Sequence, residues 1–252
     1  MSLFDTFDPH SEEIVKFEYQ SSFRPTGEFP ETVIMTFQDR TFQALEHICP
    51  TEIVATLREG RDIPVYKLHW NGRSIGIFQT LIGGAGTAGL LEETLAMGAK
   101  KVLLYGACGV LNAELAAGHF ILPAQAYRDE GTSYHYLPVG DYVDIPSAQH
   151  LGEIFDALHL PYVKGRVWTT DAFYRETRNN MEKRKADGCI AVDMECASVM
   201  AVAQFRGAEV YEFFYAEDSL DGDAWDKRTM GAVPASDYEK YLRVALEAAS
   251  RL

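Results

Sequence analysis

The sequence predicts an α/β protein. Strand and helix patterns alternate from residue 73 onward, as they do when helices cover a sheet. Lys101–Tyr105 is a nearly continuous apolar run, typical of a strand buried on both faces. No linker-like composition divides the chain, and 252 residues suit one large domain, so we predict a single domain over residues 1–252.

The first half of the chain is predicted to contain an irregular segment, five strands and one helix. Proline and glycine punctuate residues 1–30, which we expect to be irregular. Asn71-Gly72 is the strongest short hairpin signal, and Gly98 and Pro123 are natural stops for a helix and a strand. The predicted strands are Thr32–Phe37, Pro64–Trp70, Arg73–Thr80, Lys101–Tyr105 and His119–Leu122, and the helix is Thr87–Met97.

The second half is predicted to alternate helices with short apolar strands. Gly207 is a natural C-terminal stop for a helix, and Ser236-Asp-Tyr-Glu239 is a capping box that opens the last one. The predicted helices are Ser147–Leu158, Thr177–Lys185, Cys196–Arg206 and Ser236 to Arg251, and the predicted strands are Val163–Trp168, Cys189–Val192 and Val210–Tyr215.

Composition excludes several classes of function. The 23 basic and 37 acidic residues give a net charge of −14, which disfavours nucleic acids and anionic membranes as partners. Met1–His10 lacks the apolar stretch of a signal peptide, and no run approaches the roughly 20 apolar residues that span a bilayer. The cysteines show no metal-ligand spacing, so we expect reduced thiols, a cytoplasmic protein and no metal; they are Cys49, Cys108, Cys189 and Cys196.

The most informative segment is Ala191–Ser198, where a short apolar run meets a helical pattern. Asp193 and Glu195 lie on either side of Met194 at this junction. One carboxylate there can accept hydrogen bonds from two vicinal sugar hydroxyls. The alternative is that Glu195 caps the helix and stabilises its dipole.

A glycine-rich segment, Gly84-Ala-Gly86-Thr-Ala-Gly89, matches the dinucleotide-binding pattern G-x-G-x-x-G. The acidic residue expected at the end of the next strand is missing, which argues against a nicotinamide-linked oxidoreductase. The alternative is a tight turn whose backbone N–H groups approach an anion or a substrate.

Two further segments could contact a ligand. Gly106–Gly109 is predicted to be a turn after a buried strand, where ligands of α/β sheets bind, although its glycines could simply permit positive φ. In Thr169–Tyr174, Phe173 and Tyr174 could stack on a heterocyclic base, or they could be core aromatics beside a capping Asp171.

Asp218 ends the apolar run Phe213–Asp218 and is a candidate general acid. A carboxyl group at an enclosed strand end has a raised pKa and can protonate a leaving base, although Asp218 could instead cap a turn. His119 and His135 are isolated, with no second histidine at metal-ligand spacing and no nucleophile elbow for a catalytic triad.

Together these segments resemble the nucleoside phosphorylase superfamily, which includes uridine phosphorylase, hexameric purine nucleoside phosphorylase and the methylthioadenosine nucleosidases. The similarity spans about residues 31–226 and implies a central mixed sheet flanked by helices. Val192-Asp-Met-Glu195 is similar to the Val-Glu-Met-Glu signature, which implies that Met194 packs on the ribose and Glu195 holds its 2′ and 3′ hydroxyls. Asp218 is at the position of the purine-type aspartate that protonates N7. The remaining residues implied to bind substrate are Thr87, Cys108, Gly109, Phe173, Tyr174 and Asp193.

The phosphate-binding positions depart from the family pattern. Leu104 and Ala107 replace the usual arginine and hydroxyl residue, and Thr36-Phe-Gln-Asp-Arg40 replaces the Gly-Asp-Pro-x-x-Arg loop. Phosphate could be bound instead by substitute arginines, for which the candidates are Arg40, Arg58, Arg128 and Arg178. Otherwise water is the nucleophile and the protein is a hydrolase.

We therefore hypothesise a phosphorylase that cleaves the N-glycosidic bond of a purine or pyrimidine nucleoside, with phosphate as co-substrate and no cofactor. A nucleosidase and a non-catalytic nucleoside-binding protein are the alternatives. The resemblance also implies a homo-oligomer, a dimer or a hexamer, in which His10 would complete the site of a neighbouring subunit.

Overall fold

The computed structural model describes residues 2–16, 25 and 27–252. The prediction of an irregular segment over residues 1–30 therefore lies partly outside the described residues, at residues 1, 17–24 and 26. Its described part contains one short 3₁₀ helix, Leu3–Asp5, whose first turn is capped by the Ser2 hydroxyl.

Within the described residues, ten strands form one mixed sheet, as the resemblance implied. Strand β5 is central: it runs parallel to β1 on one side and to β10 on the other. The strands are β1 (Thr32–Thr36), β2 (Glu52–Arg58), β3 (Asp62–Trp70), β4 (Arg73–Gln79), β5 (Lys101–Val110), β6 (Phe120–Asp129), β7 (Tyr142–Asp144), β8 (Tyr162–Thr170), β9 (Cys189–Asp193) and β10 (Glu209–Ser219).

Five of these strands close on themselves. β10 pairs with β6, β6 with β8, β8 with β9, and β9 returns to β5, so that β5 and β10 complete a ring. The carboxyl ends of β5, β8, β9 and β10 therefore meet at one place. Since ligands of α/β sheets bind beyond the carboxyl ends of strands, this ring positions the candidate site.

Helices cover both faces of the sheet and create two main cores. Helices α2 and α6 pack on one face with Val102, Leu104 and Phe214, and α4 and α7 pack on the other with Leu103 and Phe213. The helices are α1 (Asp39–Ile48), α2 (Gly84–Ala96), α3 (Ser133–Tyr136), α4 (Ser147–Ala157), α5 (Arg178–Ala186), α6 (Cys196–Arg206) and α7 (Ala235–Ala249). In the described part of the chain no helix is both long and apolar enough to cross a membrane.

Three predictions about boundaries are wrong. Gly106–Gly109 is not a turn but the continuation of β5, and Pro123 does not end β6, which passes it through a register shift. Proline has no backbone N–H to donate to a neighbouring strand, and it is tolerated here because the β-bulge interrupts the regular hydrogen bonding between β6 and β8. Helix α7 begins at Ala235 after Pro234, and no side chain caps it, so the predicted capping box is not formed.

The hairpin and the helix stops are confirmed. Asn71 and Gly72 both have positive φ, +48° and +76°, as a two-residue turn between β3 and β4 requires. Gly207 ends α6 in the left-handed conformation at φ +65°.

Candidate functional site

The candidate site is organised around Gly109, on which three strands converge. Gly109 is paired with Val192 of β9 on one side and with Asp218 of β10 on the other. A Cβ atom at Gly109 would lie 2.8 Å from Leu220 Cδ1, 3.0 Å from Val192 Cγ1 and 3.2 Å from Asp218 Oδ1. The missing side chain thus lets the Asp218 carboxyl group lie directly over the β5 backbone.

Glu195 reaches the same region from the junction of β9 and α6. Its Oε1 accepts a hydrogen bond from the backbone N–H of Gly83 at 2.6 Å. The residue is buried, and this burial, together with the charge of Asp193, raises the pKa of Glu195 to about 8. A buried carboxylate with one oxygen already held is suited to accept donors from a bound polyol.

Asp193, not Glu195, caps helix α6. Its Oδ2 accepts from the backbone N–H groups of Glu195 at 2.8 Å and Cys196 at 2.6 Å, and its Oδ1 accepts from the Thr169 hydroxyl at 2.7 Å. Glu195 makes no side-chain cap, so the alternative interpretation of that residue is wrong. Burial raises the pKa of Asp193 to about 6 despite these hydrogen bonds. The Asp193 carboxylate therefore fixes the backbone from which the Glu195 side chain extends.

The Asp193 carboxylate also belongs to a buried cluster of two carboxyl groups and one thiol. Asp193, Cys196 and Glu212 offer oxygen and sulfur atoms within 4.8 Å of one another. Burial and the charge of Asp193 raise the pKa of Glu212 well above its ordinary value, and burial likewise raises that of the Cys196 thiol. Asp193 is already held as the cap of α6, and neither oxygen of the Glu212 carboxyl group has a hydrogen-bond partner among the described residues.

Asp218 is buried, and burial raises its pKa. The indole of Trp225 donates from Nε1 to Asp218 Oδ2 at 2.6 Å, which opposes that rise, as does the charge of Arg228. Arg228 itself donates to the carbonyl of Leu115 at 2.5 Å. No spacing pattern in the sequence indicates Trp225 or Arg228, because their proximity to Asp218 depends on the loop that follows β10.

Phe173 and Tyr174 lie in a 3₁₀ helix, Phe173–Arg175, that follows β8. Their rings are in contact, with centroids 3.9 Å apart, and their side chains are 48% and 87% exposed. They are therefore not core aromatics, and their faces are available to a ligand.

Glu176, which sequence reasoning missed, follows directly. Burial, with the charges of Asp218 and Asp193, raises its pKa to about 7. It lines a cavity of about 110 Å³ with Arg178 and with Trp225, the residue whose indole is bonded to Asp218.

Three other predicted substrate contacts differ in their surroundings. Met194 is half-buried at the junction itself. Cys108 is buried, its thiol lies 3.8 Å from the Tyr215 carbonyl, and burial raises its pKa well above the ordinary value. Thr87 is not accessible to a ligand, because its side chain is fully buried and its hydroxyl donates to the Leu81 carbonyl at 2.6 Å.

Two of the four candidate phosphate ligands are engaged elsewhere, so those predictions are corrected. Arg58 is on β2, three strands beyond β1, and pairs with Asp62 at 3.2 Å. Arg128 is buried, donates to the Ser133 hydroxyl and the Pro138 carbonyl at 2.8 and 2.7 Å, and stacks on Tyr134.

The other two arginines are exposed, and the guanidinium group of each donates to one backbone carbonyl. Arg40 is exposed in the first turn of α1, with a long 3.4 Å bond to the Val233 carbonyl. Arg178 opens α5 and donates to the Asp223 carbonyl at 2.8 Å. His10 is exposed in the N-terminal segment, where its backbone N–H bonds to Asp8.

The positions at which the family binds phosphate are apolar here. Leu104 is buried in the core, and the ring of Phe37 lies against Gly106, where a Cβ would come within 2.6 Å of Phe37 Cδ2. Gly106 is therefore needed for close packing rather than for a turn.

The G-x-G-x-x-G segment lies inside helix α2. A Cβ at Gly84 would be 2.1 Å from the Ser198 hydroxyl, whose oxygen donates to Glu130 at 2.5 Å. This glycine allows α2 and α6 to approach each other, which accounts for it without a dinucleotide.

The chain is similar in sequence and in fold to proteins of one known family. The family model described as Phosphorylase superfamily matches residues 33–252. A guanosine phosphorylase of Halorubrum lacusprofundi is 27% identical over 189 residues, covering 72% of this chain and 75% of that protein. A uridine phosphorylase of Thermococcus kodakarensis is 33% identical over 115 residues, covering 43% and 41%. A crystal structure of purine nucleoside phosphorylase from Toxoplasma gondii in complex with immucillin-H superposes with a TM-score of 0.75 at 23% identity, over 89% of this chain and 92% of that one.

Proposed function

The chain belongs to the phosphorylase superfamily, and from that premise we propose that it cleaves the N-glycosidic bond of a purine nucleoside by transferring the pentosyl group to phosphate. The observation that supports this most directly is the convergence of Asp218 and the Asp193–Glu195 junction on Gly109. The proton donor thus lies beside Gly109 on one side, and on the other side Gly109 pairs with Val192, three residues before the carboxylate proposed to bind the sugar.

In this proposal the two acids have different tasks. Glu195 accepts the 2′ and 3′ hydroxyls of the ribose while Met194 packs against the sugar. As the C1′–N9 bond breaks, positive charge develops on the sugar and negative charge on the base. Asp218, whose pKa burial raises, donates its proton to N7 and neutralises the departing base.

The base would stack on Phe173 and Tyr174, whose exposed ring faces suit any heterocycle. We further propose a guanine-type base, because Glu176 lines the cavity next to Trp225 and its carboxyl group is close enough to Asp218 to interact with it electrostatically. One carboxylate can accept both the N1–H and the 2-amino group of guanine, two adjacent donors that adenine does not present. The relative named guanosine phosphorylase is consistent with this choice.

Phosphate would be bound by Arg40 and Arg178, the two exposed candidate arginines, and Arg178 would use N–H groups other than the one bonded to the Asp223 carbonyl. A second candidate function, hydrolysis, is favoured by one specific observation: Leu104 and Phe37 fill the positions next to Gly106 with apolar groups. A site without strong anion ligands would let water attack C1′ instead.

The test is release of free base from guanosine, inosine, adenosine and uridine, each with and without phosphate. Phosphate-dependent release of guanine with formation of ribose 1-phosphate supports the proposal. Phosphate-independent release identifies a hydrolase, and binding without release from any nucleoside identifies a binding module. Asp218→Asn serves as the control that should bind nucleoside and release little base.

We also propose that the protein acts in the cytoplasm as a homo-oligomer in which His10 approaches the site of a neighbouring subunit. Light scattering after gel filtration tests the assembly. If the active species is a monomer, this role of His10 is excluded.

A further inference from the structure

The geometry points to Trp225 as the residue that orients the proton donor Asp218. We propose that its indole holds Oδ2 so that the transferable proton is confined to Oδ1. This assignment rests on the proposed function, since it concerns the proton that Asp218 gives to the leaving base.

The hydrogen bond between these residues is short and sits at a boundary with solvent. Trp225 Nε1 lies 2.6 Å from Asp218 Oδ2, while 60% of the Trp225 side chain is exposed. An exposed tryptophan with its one polar atom bonded to a buried carboxyl group is not explained by core packing. Its position is explained by the bond itself.

The loop that presents Trp225 is fastened at several points. Ser219 and Asp226 exchange two backbone hydrogen bonds of 2.8 and 2.9 Å, which close the loop immediately beside Trp225. Arg178 binds the Asp223 carbonyl at 2.8 Å, and Lys185 pairs with Asp221. The indole is therefore held in place before any ligand binds.

Donor chemistry then fixes which oxygen is protonated. An indole N–H donates and cannot accept a hydrogen bond, and the carbonyl oxygen of a neutral carboxyl group is a better acceptor than its hydroxyl oxygen, so the proton is favoured on Oδ1. Oδ2 must remain an acceptor, whether Asp218 is ionised or neutral. Oδ1 lies 3.2 Å from the position that a Cβ of Gly109 would take, over the glycine backbone on which the site is organised.

The proton balance is simple. The Oδ1–H bond breaks, an N7–H bond forms on the base, and Asp218 is left as a carboxylate whose Oδ2 is still bound to the indole. Solvent returns the proton after the base departs. Trp225 thus stabilises the product state of the transfer without touching the reacting atoms, which makes it a positioning residue.

Other titratable and charged groups also affect the pKa of Asp218, and the effect of Trp225 adds to theirs. Arg228 and Asp226 act from the same loop, with opposite effects on its pKa. Three further groups interact electrostatically with Asp218. They are the Glu217 carboxyl group on β10, the Glu176 carboxyl group in the segment that follows β8, and the Cys108 thiol on β5. All of these are unchanged when only the indole N–H is removed.

The experiment removes that N–H in two ways. Trp225→Phe deletes it with part of the ring, and benzothienylalanine at position 225 keeps the ring shape while replacing N–H by sulfur. The titration of Asp218 is followed in the free protein by carboxyl ¹³C NMR, with Asp218→Asn to assign the signal. Trp70→Phe is the matched control, because Trp70 Nε1 likewise donates to a carboxylate, Glu247 Oε1 at 3.0 Å, on the other side of the fold.

We expect the Asp218 titration to move up by about one pH unit in both Trp225 variants, the worth of one charge-assisted hydrogen bond. The high-pH limb of kcat/KM should move with it, and kcat should fall about tenfold with a smaller change in KM. Trp70→Phe should change neither. An Asp218 titration that stays within about 0.2 units of wild type in both Trp225 variants overturns the proposal.

Failure of the proposed function would look different. If the wild-type protein releases no base but the titration shifts as expected, the catalytic assignment is wrong and the Trp225–Asp218 coupling stands. If base is released and both variants retain wild-type kcat and pH profile, the positioning role is wrong and the proposed function stands.

Discussion

The backbone N–H of Gly83 donates to Oε1 of Glu195 at 2.6 Å, across 112 residues of sequence. Gly83 has φ +96°, a backbone conformation that residues other than glycine rarely adopt. This conformation of the turn before α2 directs the Gly83 N–H toward Glu195. On the other side, the Asp193 cap fixes the backbone of Glu195. The Glu195 carboxylate is therefore placed by two loops at once, which is the preorganisation that a sugar-binding group requires.

Replacing Glu195 by glutamine should separate activity from stability. Loss of a charge-assisted acceptor for the ribose hydroxyls should lower kcat/KM about 100-fold or more. The melting temperature at pH 8 should be unchanged or higher, because the neutral amide avoids ionising a buried carboxyl group. Steady-state kinetics and thermal unfolding measure the two effects.

Glu153→Gln, on the exposed face of α4, is the control and should change neither quantity. Near-normal turnover by Glu195→Gln would remove Glu195 from the site.

Nucleoside affinity should depend on pH through Glu195. Its pKa is raised to about 8 in the free protein, and the ionised form is the one that accepts ribose hydroxyls. Below pH 8 binding must first remove a proton, so the dissociation constant should fall about tenfold per unit as pH rises from 6 to 8 and then level off. Calorimetry on Asp218→Asn isolates this effect from Asp218.

The same titration with the additional changes Glu195→Gln and Glu176→Gln should give a flat profile, whereas Glu176→Gln without Glu195→Gln should keep the dependence between pH 7 and 8. A flat profile with Glu195 present would mean that the carboxyl group does not titrate on binding.

The ordered motifs made much of the fold predictable. Val192–Glu195, the hairpin at Asn71 and the strand before Gly106 each have a local pattern that dictates the structure observed. Helix α1 was missed because no side chain caps its start, and strand β2 was missed although four of its seven residues are apolar; α1 packs against α7, and β2 pairs with β3. Strand β5 was cut short at Gly106 because glycine usually interrupts strands, whereas here it makes room for Phe37.

The candidate site was predictable only where a motif named it. Glu195 and Asp218 belong to such motifs, and the structure pairs Gly109 with Asp218 on one side and with Val192, at the start of the Glu195 motif, on the other. Trp225, Arg228 and Glu176 could not be found, because their relation to Asp218 is created by loop closure and not by spacing. Arg128 was misassigned because composition cannot distinguish a buried, fully bonded guanidinium from a free one.

Gly109→Ala should impair turnover by displacing Asp218. The new methyl group would meet Leu220 Cδ1 at 2.8 Å and Asp218 Oδ1 at 3.2 Å, so the carboxyl group or the loop after β10 must move. A displacement of this size at a proton donor should lower kcat on the order of 100-fold. Kinetics and unfolding should be measured together with Gly89→Ala, whose Cβ meets nothing within 4 Å and which should keep full activity. Equal loss in both variants would contradict the argument.

Gly84→Ala should destabilise the packing of α2 on α6. Its methyl group would lie 2.1 Å from the Ser198 hydroxyl, which is itself bonded to buried Glu130. We expect a loss of about 1–3 kcal/mol in the free energy of unfolding, the usual cost of overpacking. Adding Ser198→Gly should recover part of the loss by clearing the space, whereas independent, additive losses would mean that the two positions are not in contact.

Glu93→Gln should stabilise the protein at high pH and not at low pH. Glu93 is buried on α2, its Oε2 lacks a hydrogen-bond partner among the described residues, and burial with the nearby carboxylate of Glu59 raises its pKa. Because the folded pKa exceeds the unfolded value, the folded state gains from the protonated group at low pH and loses that gain as pH rises through the folded pKa. We expect the variant to melt about 3 °C higher than wild type at pH 8 and at the same temperature at pH 5.

Its neighbour supplies the control for that last comparison. Glu92 of α2 forms a salt bridge with Arg206 of α6, with 2.8 Å between Oε2 and Nε. Glu92→Gln removes this attraction and should lower the melting temperature at pH 8. The two adjacent substitutions should thus have opposite signs, because one carboxylate has a cation and the other has a second carboxylate. An increase for Glu93→Gln that is equal at pH 5 and pH 8 would show that packing, and not ionisation, is responsible.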